Sequence, residues 1–291
     1  MRIEYERWEE LNFGDFHTHN KRCKHAEGEL SEYVNSAINK DLKIIGLSDH
    51  FPASYNEGDN TLRLQQFAMK ENEVEDYLND AKHLKELYKE KIDVKIGFEV
   101  GYLDGKEDNY SPRIKELNGT IDYLIGSVHT LKLKGKYWGI KNQDLQTLVN
   151  RYGTKFVYSY YFKSIEKMLL SKNFDLDIIG HIDYIKNGNE NPYLDEFILK
   201  EMWKLMPLIK EKEVTVEINT QGLRNGYKKL YPCEEVIKML FDYGIPVVLS
   251  SDAHSPSQVG YKFQDVIQII KSIGYTSVAA FNKRKIIPME L

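Results

Sequence analysis

Short apolar runs that stop abruptly at a histidine or an acid recur along this chain: DFHTH at 15–19, KIIGLSDH at 43–50, VKIGFEVG at 94–101, YLIGSVH at 123–129, DIIGHID at 177–183 and PVVLSSDAH at 246–254. A run of four to six apolar residues bounded by polar ones suits a strand buried on both faces. With the run VTVEI, which no histidine follows, the pattern predicts seven strands: Phe13 to His17, Lys43 to Leu47, Val94 to Phe98, Tyr123 to Val128, Leu176 to Ile179, Val214 to Ile218 and Pro246 to Leu249.

Helical periodicity fills the intervals. Leu30, Tyr33, Val34, Ala37 and Ile38 form one apolar face between Glu29 and Asn39, and Glu71 to Lys89 reads as a longer charged amphipathic helix. Further helices are predicted at Asn142 to Leu170, Leu194 to Lys210, Glu234 to Asp242 and Ser257 to Ile273. Strands alternating with helices imply a parallel sheet wrapped by helices, an α/β fold. No repeat, low-complexity tract or Pro/Gly/Ser-rich linker interrupts the pattern, so a single domain over residues 1–291 is expected. The segments Pro52 to Leu64 and Lys132 to Asn142 read as long loops, equally suited to substrate-side insertions and to solvated connections.

The formal net charge of -4, from 44 acidic and 40 basic residues spread along the chain, offers no basic stripe for a nucleic-acid backbone. No apolar run approaches the roughly 18 residues of a membrane span, and MRIEYERWEE lacks the apolar centre of a signal peptide. A cytoplasmic protein is expected. Cys23 and Cys233 suggest no disulfide framework.

In a closed parallel barrel every strand end opens on one rim. That rim would gather His17, His19 and His25 after the first strand, His50 after the second, Glu99 after the third, His129 after the fourth, His181 after the fifth, and Asp252 with His254 after the seventh. Neutral imidazoles and carboxylates are the ligands that zinc, iron and manganese share. Nine such groups exceed what one ion takes and suit two or three, with a carboxylate bridging. Paired ions of this kind serve hydrolysis at phosphorus. His83, on the charged helix, reads as a surface residue, and Cys23 as a small packed hydrophobe. Asp15, Asp49 and Asp183 read as groups that orient neighbouring rings or satisfy backbone donors.

In their order, HTH, KHAEG, SDH, GFEVGY, GSVH, GHIDYI, EINTQGLR and SSDAH resemble the motifs of the PHP (polymerase and histidinol phosphatase) superfamily over residues 14 to 260, most closely its histidinol-phosphatase branch. The resemblance implies a distorted (β/α)7 TIM-like barrel. It places a first ion on His17, His19, Glu99 and Asp252, a second on Glu99, His129 and His181, and a third on His25, His50 and His254. It implies that a metal-bound hydroxide attacks the phosphorus of a small phosphorylated substrate, L-histidinol phosphate. Arg224 in EINTQGLR resembles the family's phosphate clamp. Lys186 stands where relatives often carry arginine, keeping the charge but not the planar fork. Asp49 and Asp183 are the candidates for protonating the leaving group. The alternatives are a PHP-type phosphodiesterase or exonuclease, another small phosphate ester as substrate, and a metal-binding regulatory protein without catalysis.

Overall fold

The computed structural model describes residues 13–52, 67–186, 192–225 and 227–291. The central sheet consists of β1 (Gly14–Asp15), β2 (Ile44–Leu47), β3 (Asp93–Gly101), β4 (Tyr123–Ser127), β7 (Ile178–Ile179), β8 (Thr215–Asn219) and β9 (Val247–Ser250), in that spatial order and parallel throughout. Two further pairs, β5 (Thr130–Leu133) with β6 (Lys136–Gly139) and β10 (Ser277–Asn282) with β11 (Lys285–Glu290), are antiparallel hairpins.

The predicted first strand runs to His17, whereas the ladder with β2 ends at Asp15, because beyond that point the chain turns its hydrogen bonds to the last strand. Phe16 N–H donates to Leu249 O at 3.1 Å, Ala253 N–H to His17 O at 3.2 Å and His19 N–H to Ala253 O at 2.9 Å. Asp15 reinforces the seam from within: its Oδ1 accepts Ser251 N–H and its Oδ2 accepts Gly260 N–H, both at 2.9 Å. These bonds bring first and last strands together and make the sheet a nearly closed barrel, as the alternation predicted. β3 is long enough to serve two neighbours, its first half paired with β2 and its second with β4.

Helices cover the outside. α1 (Leu30–Asn39) starts at a capping box formed by Glu29 and Glu32 and buries Leu30, Tyr33, Val34 and Ala37, the predicted face. α2 (Val74–Tyr88) packs on β3, and His83 points to solvent from it. α3 (Glu107–Leu117) escaped the sequence reading because Tyr110, Ile114 and Leu117 are the only large apolar residues on its buried face and Pro112 lies inside it. The single helix expected at Asn142 to Leu170 is two, α4 (Asn142–Tyr152) and α5 (Thr154–Leu170). Gly153 separates them with φ 83°, a left-handed-side conformation that ends a helix. α6 (Pro192–Glu211), the single turn α7 (Gln221–Arg224), α8 (Glu234–Asp242) and α9 (Phe263–Ile273) complete the layer. The expected helix from Ser257 begins at Phe263, after a short 3-10 turn at Pro256–Gln258. The expected loop at 132–142 contains the β5–β6 hairpin, and the expected loop at 52–64 lies, apart from Pro52, outside the described residues.

The bottom of the barrel is plugged by one side chain. Tyr123 is fully buried, donates from Oη to Phe16 O at 2.8 Å and packs beside Phe16 and Phe281. Its ring occupies space that side chains of the adjoining strands would need: a Cβ on Gly46 would lie 2.1 Å from Tyr123 Oη, and one on Gly97 2.7 Å from Tyr123 Cζ. Below it the C-terminal hairpin is tied in by Arg284, which pairs with Asp177, donates to Asn118 Oδ1 at 2.8 Å and gives its backbone N–H to Asp122 O at 2.8 Å. Those bonds hold Lys283 and Arg284 at φ 49° and 65° in the tight turn.

Gly46→Ala should therefore cost about 1–3 kcal/mol in urea unfolding. In a Tyr123→Phe background, where the hydroxyl it meets is gone, the same change should cost less. Equal costs in both backgrounds would show that the ring does not fill this space.

Candidate metal centre

The C-terminal ends of the strands bring all nine predicted donors together, and Glu99 stands at their centre. It is buried at 1% exposure. Its Oε1 lies 3.3 Å from His129 Nε2 and 3.2 Å from His181 Nε2, while Oε2 lies 3.4 Å from His17 Nε2, 3.5 Å from His19 Nε2 and 2.9 Å from His50 Nδ1. Position follows from backbone pairing: Glu99 N–H donates to Ser48 O, and a parallel bridge sets Glu99 beside His50 just beyond β2. Asp252 is the second acidic centre, its Oδ1 3.2 Å from His19 Nε2, 3.9 Å from His17 Nε2 and 3.4 Å from His254 Nδ1. A φ of 51° turns the chain at Asp252. Such left-handed backbone is uncommon outside glycine and is best tolerated by Asp and Asn.

The ring orientations identify what the site accepts. His254 Nδ1 faces Asp252 O at 3.0 Å and His25 Nδ1 faces Cys23 O at 3.0 Å. Each contact places the ring proton on Nδ1, since a carbonyl only accepts. The two Nε2 atoms then face each other, 3.0 Å apart, with lone pairs opposed. His17 Nδ1 lies 2.8 Å from Glu217 Oε2 and His19 Nδ1 3.3 Å from Asp49 Oδ1, which turns their Nε2 atoms toward Glu99 and Asp252. Those two Nε2 atoms and His181 Nδ1 are buried without a hydrogen-bond partner among the described residues. Lone pairs and carboxylates aimed at shared points are satisfied by a cation, so the donor set fits divalent metal. His19, His50 and His254, and separately His17, His19 and Glu99, and His50, Glu99 and His129, bring ligand atoms within 4.8 Å of one another.

Protonation follows the same logic. Burial raises the carboxyls of Glu99 and Asp252, but the surrounding imidazoles outweigh it and hold both well below their usual values. Burial lowers His17 and His19, yet the carboxylates overcome it, holding His17 well above its usual value and His19 at about 9. Burial keeps His25, His50 and His129 low and His254 at about 3. In the metal-free protein a proton thus stands where a cation would on His17 and His19, while these four rings are neutral and ready to ligate.

Glu217 was not predicted. Lying on β8 with Thr215 and Asn219 on the same alternating face, it bonds His17 Nδ1, accepts His181 N–H at 2.5 Å and accepts Asn219 Nδ2 at 2.9 Å. Asn219 also donates to Asp252 Oδ2 at 3.2 Å. An acid in the middle of VTVEIN was the available signal, because an unpaired carboxylate does not survive inside an apolar strand. Asp49, beyond facing His19, accepts His50 N–H at 2.9 Å. Among the described residues neither Asp183 nor Lys186 makes a hydrogen bond or ion pair with one of the predicted donors. Asp183, pushed up to about 6 by burial against the opposing pull of Lys186, accepts Cys233 N–H, and Lys186 is buried between Asp183 and Asp195 at 3.6 and 3.2 Å. Arg224 is at the site, its Nη2 donating to Asp252 O at 2.9 Å, its guanidinium 5.4 Å from the Tyr261 ring and its Nη1 buried without a partner among the described residues. Cys23 is a free, buried thiol that donates to Asn20 O, its pKa raised by burial.

Fold and donors define a class of protein: a parallel α/β barrel with a histidine- and carboxylate-rich centre for divalent metal at its mouth. The PHP domain family model matches residues 15–221, and the chain belongs to that family. It is 28% identical over 278 residues to the probable histidinol-phosphatase of Deinococcus radiodurans, covering 94% of this chain and 98% of that one. With the histidinol-phosphatase of Bacillus subtilis it shares 26% identity over 263 residues, covering 87% and 98%. The crystal structure of histidinol phosphate phosphatase from Lactococcus lactis, complexed with zinc, L-histidinol and phosphate, matches with a TM-score of 0.69 at 20% identity, covering 95% of this chain and 99% of that one.

Because protons occupy His17 and His19 in the metal-free state, adding divalent metal at neutral pH should release protons into a weakly buffered solution. Apparent metal affinity should rise with pH at least up to about 9, where His19 loses its proton. A metal titration without proton release would remove these rings from the donor set. Glu217→Gln should weaken metal binding about 10- to 100-fold, read by competition with a chelating dye, with the far-UV circular dichroism unchanged.

Proposed function

We propose that this chain is a metal-dependent phosphomonoesterase that hydrolyses L-histidinol phosphate to L-histidinol and phosphate. The observation that carries the reading is the two-sided placement of Glu99, one oxygen toward His129 and His181 and the other toward His17, His19 and His50. In this reading His17, His19, Glu99 and Asp252 hold one divalent ion, Glu99, His129 and His181 a second, and His25, His50 and His254 a third. Zinc, iron and manganese all accept this mixture of imidazole and carboxylate. Bound divalent ions supply Lewis-acid neutralisation of phosphate charge and lower the pKa of water, giving a nucleophile at neutral pH.

The chain's own residues set the geometry of that chemistry. Glu217 and Asp49 hold His17 and His19 by Nδ1, so that both rings offer Nε2 to the centre. Arg224, fixed by Asp252 O and braced against Tyr261, has Nη1 left to receive a phosphate oxygen. Of the two acids considered for the leaving group, Asp49 lies among the donors and already serves His19 and His50, whereas Asp183 bonds Lys186 and Cys233. The substrate assignment is supported by the names of the Deinococcus and Bacillus relatives and by the histidinol and phosphate bound to the Lactococcus protein.

Metal content and phosphate release should be measured together on histidinol phosphate, sugar phosphates, a nucleoside monophosphate and a single-stranded oligonucleotide. Histidinol phosphate should be the best substrate; preferential hydrolysis of the nucleotide or oligonucleotide would overturn the assignment. His17→Ala and Glu99→Ala should each lose metal and activity together with the fold retained. For Arg224→Ala the expected result is a rise in KM of about tenfold or more, from loss of a charge-assisted hydrogen bond, with metal content unchanged.

A further inference from the structure

Three cations from the strand-end loops differ in what already holds them. Lys186 is buried at 2% exposure, pairs with Asp183 and Asp195, and lies 5.3 Å from the Tyr227 ring. Arg224 gives Nη2 to a backbone carbonyl. Lys141, between β6 and α4, has no carboxylate or carbonyl partner for its Nζ among the described residues; that atom lies 4.7 Å from the centre of the Tyr184 ring.

The location of that ring matters. Tyr184 is buried, lies 4.5 Å from the His181 ring and 6.4 Å from the His129 ring, and is wedged edge-on against Tyr231 at 5.3 Å. Ile140 N–H donates to His129 O at 3.1 Å, which stitches the chain just before Lys141 to a metal donor. The ammonium group therefore stands on a fixed platform beside the His129 and His181 side of Glu99. It feels the carboxylates of Glu99 and Asp252, and its own charge is felt at His25 and His129. Lys141 is exposed to solvent, yet enough protein surrounds it for desolvation to lower its pKa.

A lone ammonium above a centre suited to several divalent ions is repelled by them unless an anion lies between. A phosphomonoester dianion bound at the centre supplies that anion. Lysine, with three donors on a flexible stem, suits oxygens whose positions shift as the ester bond breaks, and the aromatic face limits where the stem can go.

We propose that Lys141, held over the barrel mouth by the Tyr184 ring, binds the non-bridging oxygens of the substrate phosphate, a role that motif position alone assigns to Lys186. This inference rests on the phosphatase reading of the site, and the test separates the two. Lys141→Met should raise KM for histidinol phosphate, and the inhibition constant of inorganic phosphate, about tenfold or more, with a smaller change in kcat and unchanged metal content. Lys141→Arg should recover most of both. Calorimetric titration of inorganic phosphate into the metal-loaded wild type and Lys141→Met measures the same contact without turnover. Phosphate binding that weakens in Lys141→Met, in a protein that hydrolyses no ester on the panel, supports the Lys141 assignment and overturns the phosphatase reading. Ester hydrolysis combined with phosphate binding and KM within twofold of wild type in Lys141→Met overturns the Lys141 assignment and leaves the phosphatase reading intact.

Discussion

Three carboxylates, Glu99, Glu217 and Asp252, are ionised inside the mouth of the barrel with almost no contact with water. Removing a charge from water costs several kcal/mol even after relaxation, so each must be compensated locally. The compensation organises the site. Glu217 takes a ring nitrogen, a backbone N–H and an amide N–H, while Glu99 and Asp252 have imidazoles arranged about their oxygens. Protons on His17 and His19 offset this charge, a role that bound divalent metal would take over.

Such an arrangement needs a scaffold that resists the repulsion of like charges and opposed lone pairs. Strand pairing supplies it, because every donor except His25 is within two residues of a backbone ladder or bridge, and the hydrogen bonds among Phe16, His17, His19, Leu249 and Ala253 tie the first strand to the last. The opposite end is organised for stability, with Tyr123 filling the interior and the C-terminal hairpin locked beneath it by Arg284, Asp177 and Asp122. Charge is thus gathered at one end of the barrel and packing at the other.

Much of this was legible in the sequence. The seven apolar runs became the seven parallel strands, since a strand buried on both faces must be apolar along its length. The donors were legible because they interrupt those runs at their ends. Less legible were α3, whose weak apolar face has Pro112 inside it, and the two hairpins, in each of which a mostly buried strand (β5, β10) pairs with a more exposed one (β6, β11). Glu217 was hidden for a related reason, being inside a strand rather than at its end, where only the barrel interior reveals that it meets His17 and the His181 backbone.

The contrast between Lys186 and Lys141 marks the boundary. Sequence by itself determined the strand order along the chain, the barrel class and which nine histidine and carboxylate side chains meet at the mouth, because these depend on local runs and on which residues end them. What surrounds each cation depended on the tertiary structure. Lys186 follows a donor motif but pairs with Asp183 and Asp195, while Lys141 follows the β5–β6 hairpin and lies over the Tyr184 ring, next to Ile140, whose N–H bonds His129 O. A linear sequence records that a charge exists; its direction is set by the neighbours that folding brings to it, and those neighbours are distant in the chain.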